Sequence, residues 1–237
     1  MRIEIWSDII CPWCGLGSHQ LDRAIKRFGH DGEVEVVRRS FILDESLPIG
    51  VTWPVMDVLR SRKGLTEGQA REVTGQLERL AVSEGLTPYR VLDNQVGSSA
   101  LAHELAAWAT DIGRGGEVWR ALYKAYYAEA RPIFNVESLV ALATECRLSE
   151  VEARTALTSR RYQSRIRDDI RDARALGATG VPFTVIDRRL VVKSARSVDA
   201  LVQAMEHAWR DRQPMPQPAT NDGAMCGPEG CPVPHGT

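Results

Sequence analysis

Cys11-Pro12-Trp13-Cys14 is the stretch that decides how this chain is read. Two cysteines with two residues between them can exchange a disulfide, supply half of a metal site, or share a helical face by chance. The flanks discriminate. Upstream, Arg2-Ile3-Glu4-Ile5-Trp6 alternates polar and apolar residues, the period-two pattern of a strand. Downstream, Leu16, Gln20, Ala24, Ile25 and Phe28 recur at roughly helical spacing, and Gly29 stands where a helix would stop. The pair is therefore expected at a strand-to-helix junction, with Pro12 suited to the first helical position. The positive end of the helix dipole and its unpaired N–H groups favour an anion, so a thiol there is expected to be held partly as thiolate. Lowering a thiol from about 8.5 into the range 3.5–7 is worth roughly 2–7 kcal/mol. Cys11 is the candidate nucleophile and Cys14, one turn into the helix, the candidate resolving thiol.

Composition narrows the class. The 237 residues are 43% hydrophobic and carry a formal net charge of −1. A chain of this length buries enough surface to fold without staples, and its near-neutral charge gives no reason to expect nucleic-acid or membrane-surface binding. There is no run of 18 apolar residues to cross a membrane. Met1-Arg2-Ile3-Glu4-Ile5 does not read as a signal peptide, so the expected location is cytoplasmic. Five cysteines are too few for a disulfide scaffold in a chain this long.

Beyond the first helix, Glu33 to Val37 alternates again and leads to Phe41-Ile42-Leu43, predicting a second strand parallel to the first through a right-handed crossover. From Pro54 to about Arg147 the pattern is helical, with no convincing strand. Thr66 with Gln69 and Ser149 with Glu152 form capping boxes, and Asn135 is placed to cap a helix. A charged helix is expected over Ser159 to Ala175, stopped by Gly177. Val181 to Ile186 and Leu190 to Val192 flank Asp187-Arg188-Arg189 as a hairpin, and Ser197 to Trp209 closes with one helix. Strand–helix–strand, a helical block, then strand–strand–helix is a thioredoxin-like α/β order. It divides into a discontinuous thioredoxin-like domain (1–45 and 160–210), an inserted helical domain (46–159) and a tail (211–237) rich in proline and glycine, with a second pair, Cys226 and Cys231.

Asp8, Cys11-Pro12-Trp13-Cys14, Gly180-Val181-Pro182-Phe183 and an alanine- and tyrosine-rich segment around Ala102-His103 and Trp119 to Tyr127 together resemble the DsbA-like branch of the thioredoxin superfamily, most closely its FrnE type. The resemblance covers roughly residues 1–210, and a C-terminal Cys-x4-Cys also occurs in that type. It implies a cis Val181–Pro182 bond facing the cysteine pair and a substrate-binding role for these two residues. It implies a thiol–disulfide oxidoreductase acting on protein or peptide thiols and disulfides, with glutathione as a further candidate partner and no cofactor.

Within the motif, Pro12 and Trp13 would tune the redox balance. Asp8 would either relay a proton to Cys14 or cap backbone N–H groups. Trp6 reads as core, Trp13 as a border of the substrate groove, and Cys146 as a packed small hydrophobe. His103, Tyr123, Tyr126 and Tyr127 either line the cleft or belong to the core. The tail pair would act as a second redox pair reaching Cys11 and Cys14 across a linker spanning roughly 20 Å. Alternatively, Cys226, Cys231 and His235 would hold zinc, or the tail thiols would be idle. Two rival functions remain: a glutathione-dependent isomerase or transferase similar to 2-hydroxychromene-2-carboxylate isomerase, in which serine replaces the first cysteine, and a zinc-bound redox sensor or holdase.

Overall fold

The structure is a computed structural model that describes residues 1–192 and 197–212. The tail pair Cys226 and Cys231, with His235, lies outside the described residues.

Strand β1 (Arg2–Ser7) runs into helix α1 (Pro12–Phe28), which ends at Gly29 in the left-handed conformation (φ 79°). Strand β2 (Glu35–Ser40) pairs parallel with β1, from Arg2 opposite Glu35 to Ser7 opposite Ser40. The strand is shorter than the sequence pattern suggests. Asp31–Glu33 form a 3-10 turn, and the Leu43 N–H bonds the Asp8 carboxylate at 2.8 Å rather than extending the ladder.

The insertion begins with a second departure. Short strands β3 (Thr52–Pro54) and β4 (Gln95–Gly97) form an antiparallel ribbon in a region read as helical. Three residues per strand are too few for alternation to register. Gly97 belongs there for a steric reason: a Cβ would lie 2.9 Å from the Val51 carbonyl oxygen. Between and after these strands come α2 (Val55–Lys63), α3 (Glu67–Ser83), α4 (Ala100–Asp111), α5 (Gly115–Tyr123) with a π-helical continuation over Lys124–Ala128, α6 (Val136–Glu145) and α7 (Glu150–Ser159). Of the two predicted capping boxes, the one at Thr66 closes fully with Gln69, whereas Ser149 only accepts from the Glu152 N–H. Asn135 accepts from the Ser138 N–H.

The helix expected from Ser159 starts later, as α8 (Gln163–Ala175), because Arg160 adopts a left-handed conformation (φ 54°) that ends α7. Strand β5 (Phe183–Ile186) then pairs antiparallel with β1, and β6 (Leu190–Val192) pairs with β5, giving the order β2-β1-β5-β6. The hairpin turn places Asp187 and Arg188 both at positive φ, the geometry that matches the strand twist. Helix α9 (Val198–Arg210) packs on α1, its first turn capped by Ser197.

Alternation along β1 divides the core. Ile3 and Ile5 face Leu21, Ile186, Leu201 and Met205 beneath α1 and α9. Trp6 faces Ile166, Ile170 and Phe183 beneath α8. Glu4, fully buried on that second face, is compensated by Arg39 at 2.7 Å and Arg188 at 2.8 Å. A buried carboxylate without such partners would cost several kcal/mol. The third cluster fills the insertion and reaches Cys11, Cys14 and Leu16, so the cysteine pair sits where the sheet layer meets the helical block.

Candidate functional site

Cys11 is the N-cap of α1 and Pro12 its first helical residue, at the end of the chain segment that leaves β1. The Cys11 carbonyl accepts from the N–H groups of Cys14 (2.9 Å) and Gly15 (3.3 Å), which closes the first turn. This placement sets the two sulfurs apart. Cys11 keeps 6% of its surface, at the positive end of the helix dipole, whereas Cys14 keeps none. Burial pushes the Cys14 thiol well above its ordinary range, and the hydrogen bond and charge of Cys11 push it further. Both cysteines are free thiols.

The late Val-Pro meets the early pair in space. Val181–Pro182 is a cis peptide, and the Val181 carbonyl oxygen lies 3.7 Å from Cys11 Sγ. Pro182 packs on α1 at Gly17, where a Cβ would come within 3.3 Å of its ring. Gly177, Thr179, Gly180, Pro182, Gln20 and Trp13 line a cleft of about 570 Å³ on this side. Trp13, 36% exposed, also borders a second depression of about 200 Å³ between α1 and the insertion, walled by Ile10, Val55, Val58, Leu77 and Tyr127.

The insertion side is dense with aromatics. Tyr89 stacks on Tyr127 with ring centroids 4.6 Å apart, and its hydroxyl donates to the Pro12 carbonyl at 2.5 Å. Gly15 makes room for that contact, since a Cβ would lie 2.5 Å from the Tyr89 hydroxyl oxygen. Tyr123, Tyr126 and Tyr127 are buried, so these aromatics are core as well as wall. Burial raises all four phenols above their ordinary range.

Asp8 is fully buried and accepts backbone N–H bonds from Ile10 (3.3 Å) and Leu43 (2.8 Å). That is the capping arrangement. It also faces His103 Nε2 at 3.3 Å, from a histidine without exposed surface. Tyr89, Gly15 and Gly17 carried no signal in the sequence reading. A glycine on each side of a helical turn beside CxxC is the trace that could have pointed to close approach. Cys146, which caps the end of α6, is buried in the insertion's core as a packed hydrophobe. Among the described residues, no group of three or more histidine, cysteine or carboxylate side chains is placed to hold a metal, and no helix is long and apolar enough to cross a membrane.

A family model for the DsbA-like thioredoxin domain matches residues 2–206. The chain belongs to the DsbA-like thioredoxin family. A crystal structure of a probable DsbA oxidoreductase from Streptomyces coelicolor is similar over 99% of this chain and 100% of its own, with 39% identity and a TM-score of 0.86. The uncharacterised protein YwbO of Bacillus subtilis is 28% identical over 199 residues, 82% of this chain and 91% of YwbO. The cytosolic disulfide reductase DsbM of Pseudomonas aeruginosa, solved with glutathione, shares the fold at 22% identity and a TM-score of 0.61, over 89% of this chain and 100% of its own. A 2-hydroxychromene-2-carboxylate isomerase shares it at 14% identity and a TM-score of 0.63, over 89% of this chain and 95% of its own. As a DsbA-like protein, the chain falls among the disulfide oxidoreductases.

Proposed function

We propose that this DsbA-like protein exchanges thiols and disulfides at Cys11-Pro12-Trp13-Cys14, with protein or peptide thiols as substrates and glutathione as a small thiol that the same cleft admits. The observation that carries the proposal is the asymmetry of the two sulfurs. Cys11 faces the Val181 carbonyl at the cleft, and Cys14 is sealed behind it. In reduction, the Cys11 thiolate attacks a substrate disulfide, forming a mixed disulfide and expelling one substrate thiolate. Cys14, after losing its proton, attacks Cys11 Sγ. The Cys11–Cys14 disulfide forms and the second substrate sulfur leaves with the electron pair. Oxidation of a substrate dithiol is the same path reversed. An extended substrate would lie along the backbone at Val181, with Pro12 and Trp13 tuning the pair's potential.

In a cytoplasmic setting the ambient poise favours reduction or isomerisation. An FrnE-type assignment adds the tail pair Cys226 and Cys231 as an internal redox partner. The chain leaves α9 with Arg212 beside Asp187 (3.4 Å), and Asp187 bonds Arg2 at the start of β1. Cys11 lies beyond the other end of β1, roughly 20 Å of strand away. The proposal is tested by mapping disulfides across a glutathione redox series with single cysteine-to-serine variants. A Cys11–Cys14 disulfide forming reversibly as one two-electron couple supports it. Two thiols that stay reduced across the series contradict it.

A further inference from the structure

A side chain of the insertion reaches the backbone of the cysteine motif itself. Tyr89, in the loop between α3 and β4, donates its hydroxyl hydrogen to the Pro12 carbonyl at 2.5 Å. The loop is built to hold it there. The Arg90 N–H bonds the Tyr127 carbonyl at 2.8 Å, the Val91 N–H bonds the Glu78 carboxylate at 2.6 Å, and the Tyr89 ring stacks on Tyr127. Gly15 leaves space for the hydroxyl on α1, where a Cβ would lie 2.5 Å from its oxygen. Tyr89 is buried, and burial keeps its phenol protonated well past neutral pH, so it remains a donor there.

This bond is not needed to satisfy the carbonyl. Pro12 is the first residue of α1, and helical geometry already offers its oxygen the Leu16 N–H. The phenol uses the second lone pair. What it adds falls on the peptide group that joins Pro12 to Trp13. A donor at the oxygen of a peptide group draws charge from its nitrogen, which makes the N–H of that same group a stronger donor. Here that is the Trp13 N–H, at the second helical position.

An N-cap side chain accepts from the N–H of the second or third helical residue, and the N-cap of α1 is Cys11. The third, the Cys14 N–H, is turned to the Cys11 carbonyl at 2.9 Å. The second is the one that Tyr89 polarises. As a thiol, Cys11 makes no capping bond from its side chain, in keeping with the weak acceptor strength of a neutral sulfur. A thiolate is a charged acceptor and bonds an N–H far more strongly. The benefit of Tyr89 is therefore felt when Cys11 is ionised.

We propose that Tyr89 is a positioning residue of the exchange site, stabilising the Cys11 thiolate through the Pro12–Trp13 peptide and so setting the redox balance of the pair. This rests on the exchange reading above. In the disulfide Cys11 carries no charge, so the stabilisation falls on the reduced state and makes the disulfide more oxidising. Two glutathione thiols pass two electrons to the Cys11–Cys14 disulfide, leaving the dithiol and one glutathione disulfide. Loss of the phenol shifts that equilibrium back toward the protein disulfide.

The test compares the full-length wild type with Tyr89→Phe and Tyr127→Phe. Tyr127→Phe removes a buried hydroxyl of the same stack that has no hydrogen-bond partner among the described residues, and so controls for disturbance of the wall. Two quantities are read: the dithiol–disulfide equilibrium in a glutathione redox series, and the pH midpoint of Cys11 alkylation by iodoacetamide, located by peptide mass mapping. In Tyr89→Phe the equilibrium should move about threefold toward the disulfide, a potential lower by about 14 mV. The alkylation midpoint should rise by about half a pH unit. Tyr127→Phe should match wild type in both. A loss of stability common to the two redox states moves neither quantity. Tyr89→Phe values superimposed on wild type overturn the proposal, and so does a Tyr127→Phe shift of equal size. A wild-type pair that never oxidises would instead defeat the exchange reading, while the alkylation midpoints would still decide whether Tyr89 supports the thiolate.

Discussion

On the β5 side of the cysteine pair the wall is backbone and open cleft: the Val181 carbonyl, Pro182 against Gly17, and Gly177 to Gly180 beyond. On the insertion side it is a sealed stack of Tyr89, Tyr127, Tyr126 and Tyr123, with Asp8 and His103 behind. Cys11 looks onto the first wall and Cys14 onto the second. The contrast assigns separate work to the two layers. The sheet layer presents exposed backbone beside the outer thiol, and the insertion's core buries the inner one. A helical block in a thioredoxin-like chain is thus more than an added substrate surface.

The largest effect expected of the sealed wall is on alkaline stability. Burial raises Tyr89, Tyr123, Tyr126 and Tyr127, so the native protein keeps protons that the unfolded chain sheds as pH passes about 10. A raised native value contributes stability that is complete below the unfolded one and is lost above it. Each phenol should therefore remove roughly 1.4 kcal/mol of stability per pH unit above that point. Urea midpoints from pH 9 to 11 should fall steeply, and less steeply in Tyr127→Phe. Unchanged midpoints would show that this wall admits solvent.

Gly15→Ala breaks the contrast from the helix side. Its Cβ would meet the Tyr89 hydroxyl at 2.5 Å and the Tyr127 ring at 3.2 Å, so the stack must move. Overpacking of this kind costs about 1–3 kcal/mol, to be read from denaturant unfolding, and it should make Cys14 accessible to alkylation. Tyr89→Phe is gentler. It removes the bond to the Pro12 carbonyl and keeps the ring, for a loss of about 1 kcal/mol. Cys14 should stay protected from alkylation in that variant.

Much of this was legible in the chain because the signals are local. Period-two alternation in Arg2 to Trp6, the capping residues Thr66, Asn135 and Ser149, and the junction position of Cys11 each act within a few residues. The β3–β4 ribbon was not legible, because strands of three residues leave no period to detect and their partners lie some forty positions apart. Tyr89 was invisible for a related reason: it sits in a loop 77 positions from the Pro12 carbonyl it bonds. Asp8 looked like either a capping residue or a proton relay. The structure gives it the capping bonds and adds His103, from 95 positions away, which no local pattern predicts.

The division of labour between the two sulfurs is tested most directly by trapping. Cys14→Ser and Cys11→Ser are each incubated with a peptide disulfide, quenched with acid and located by peptide mass mapping. The account predicts a stable mixed disulfide on Cys11 in Cys14→Ser and almost none in Cys11→Ser, where Cys14 is protonated and shielded. A substrate adduct that forms on Cys14 as readily as on Cys11 would contradict it.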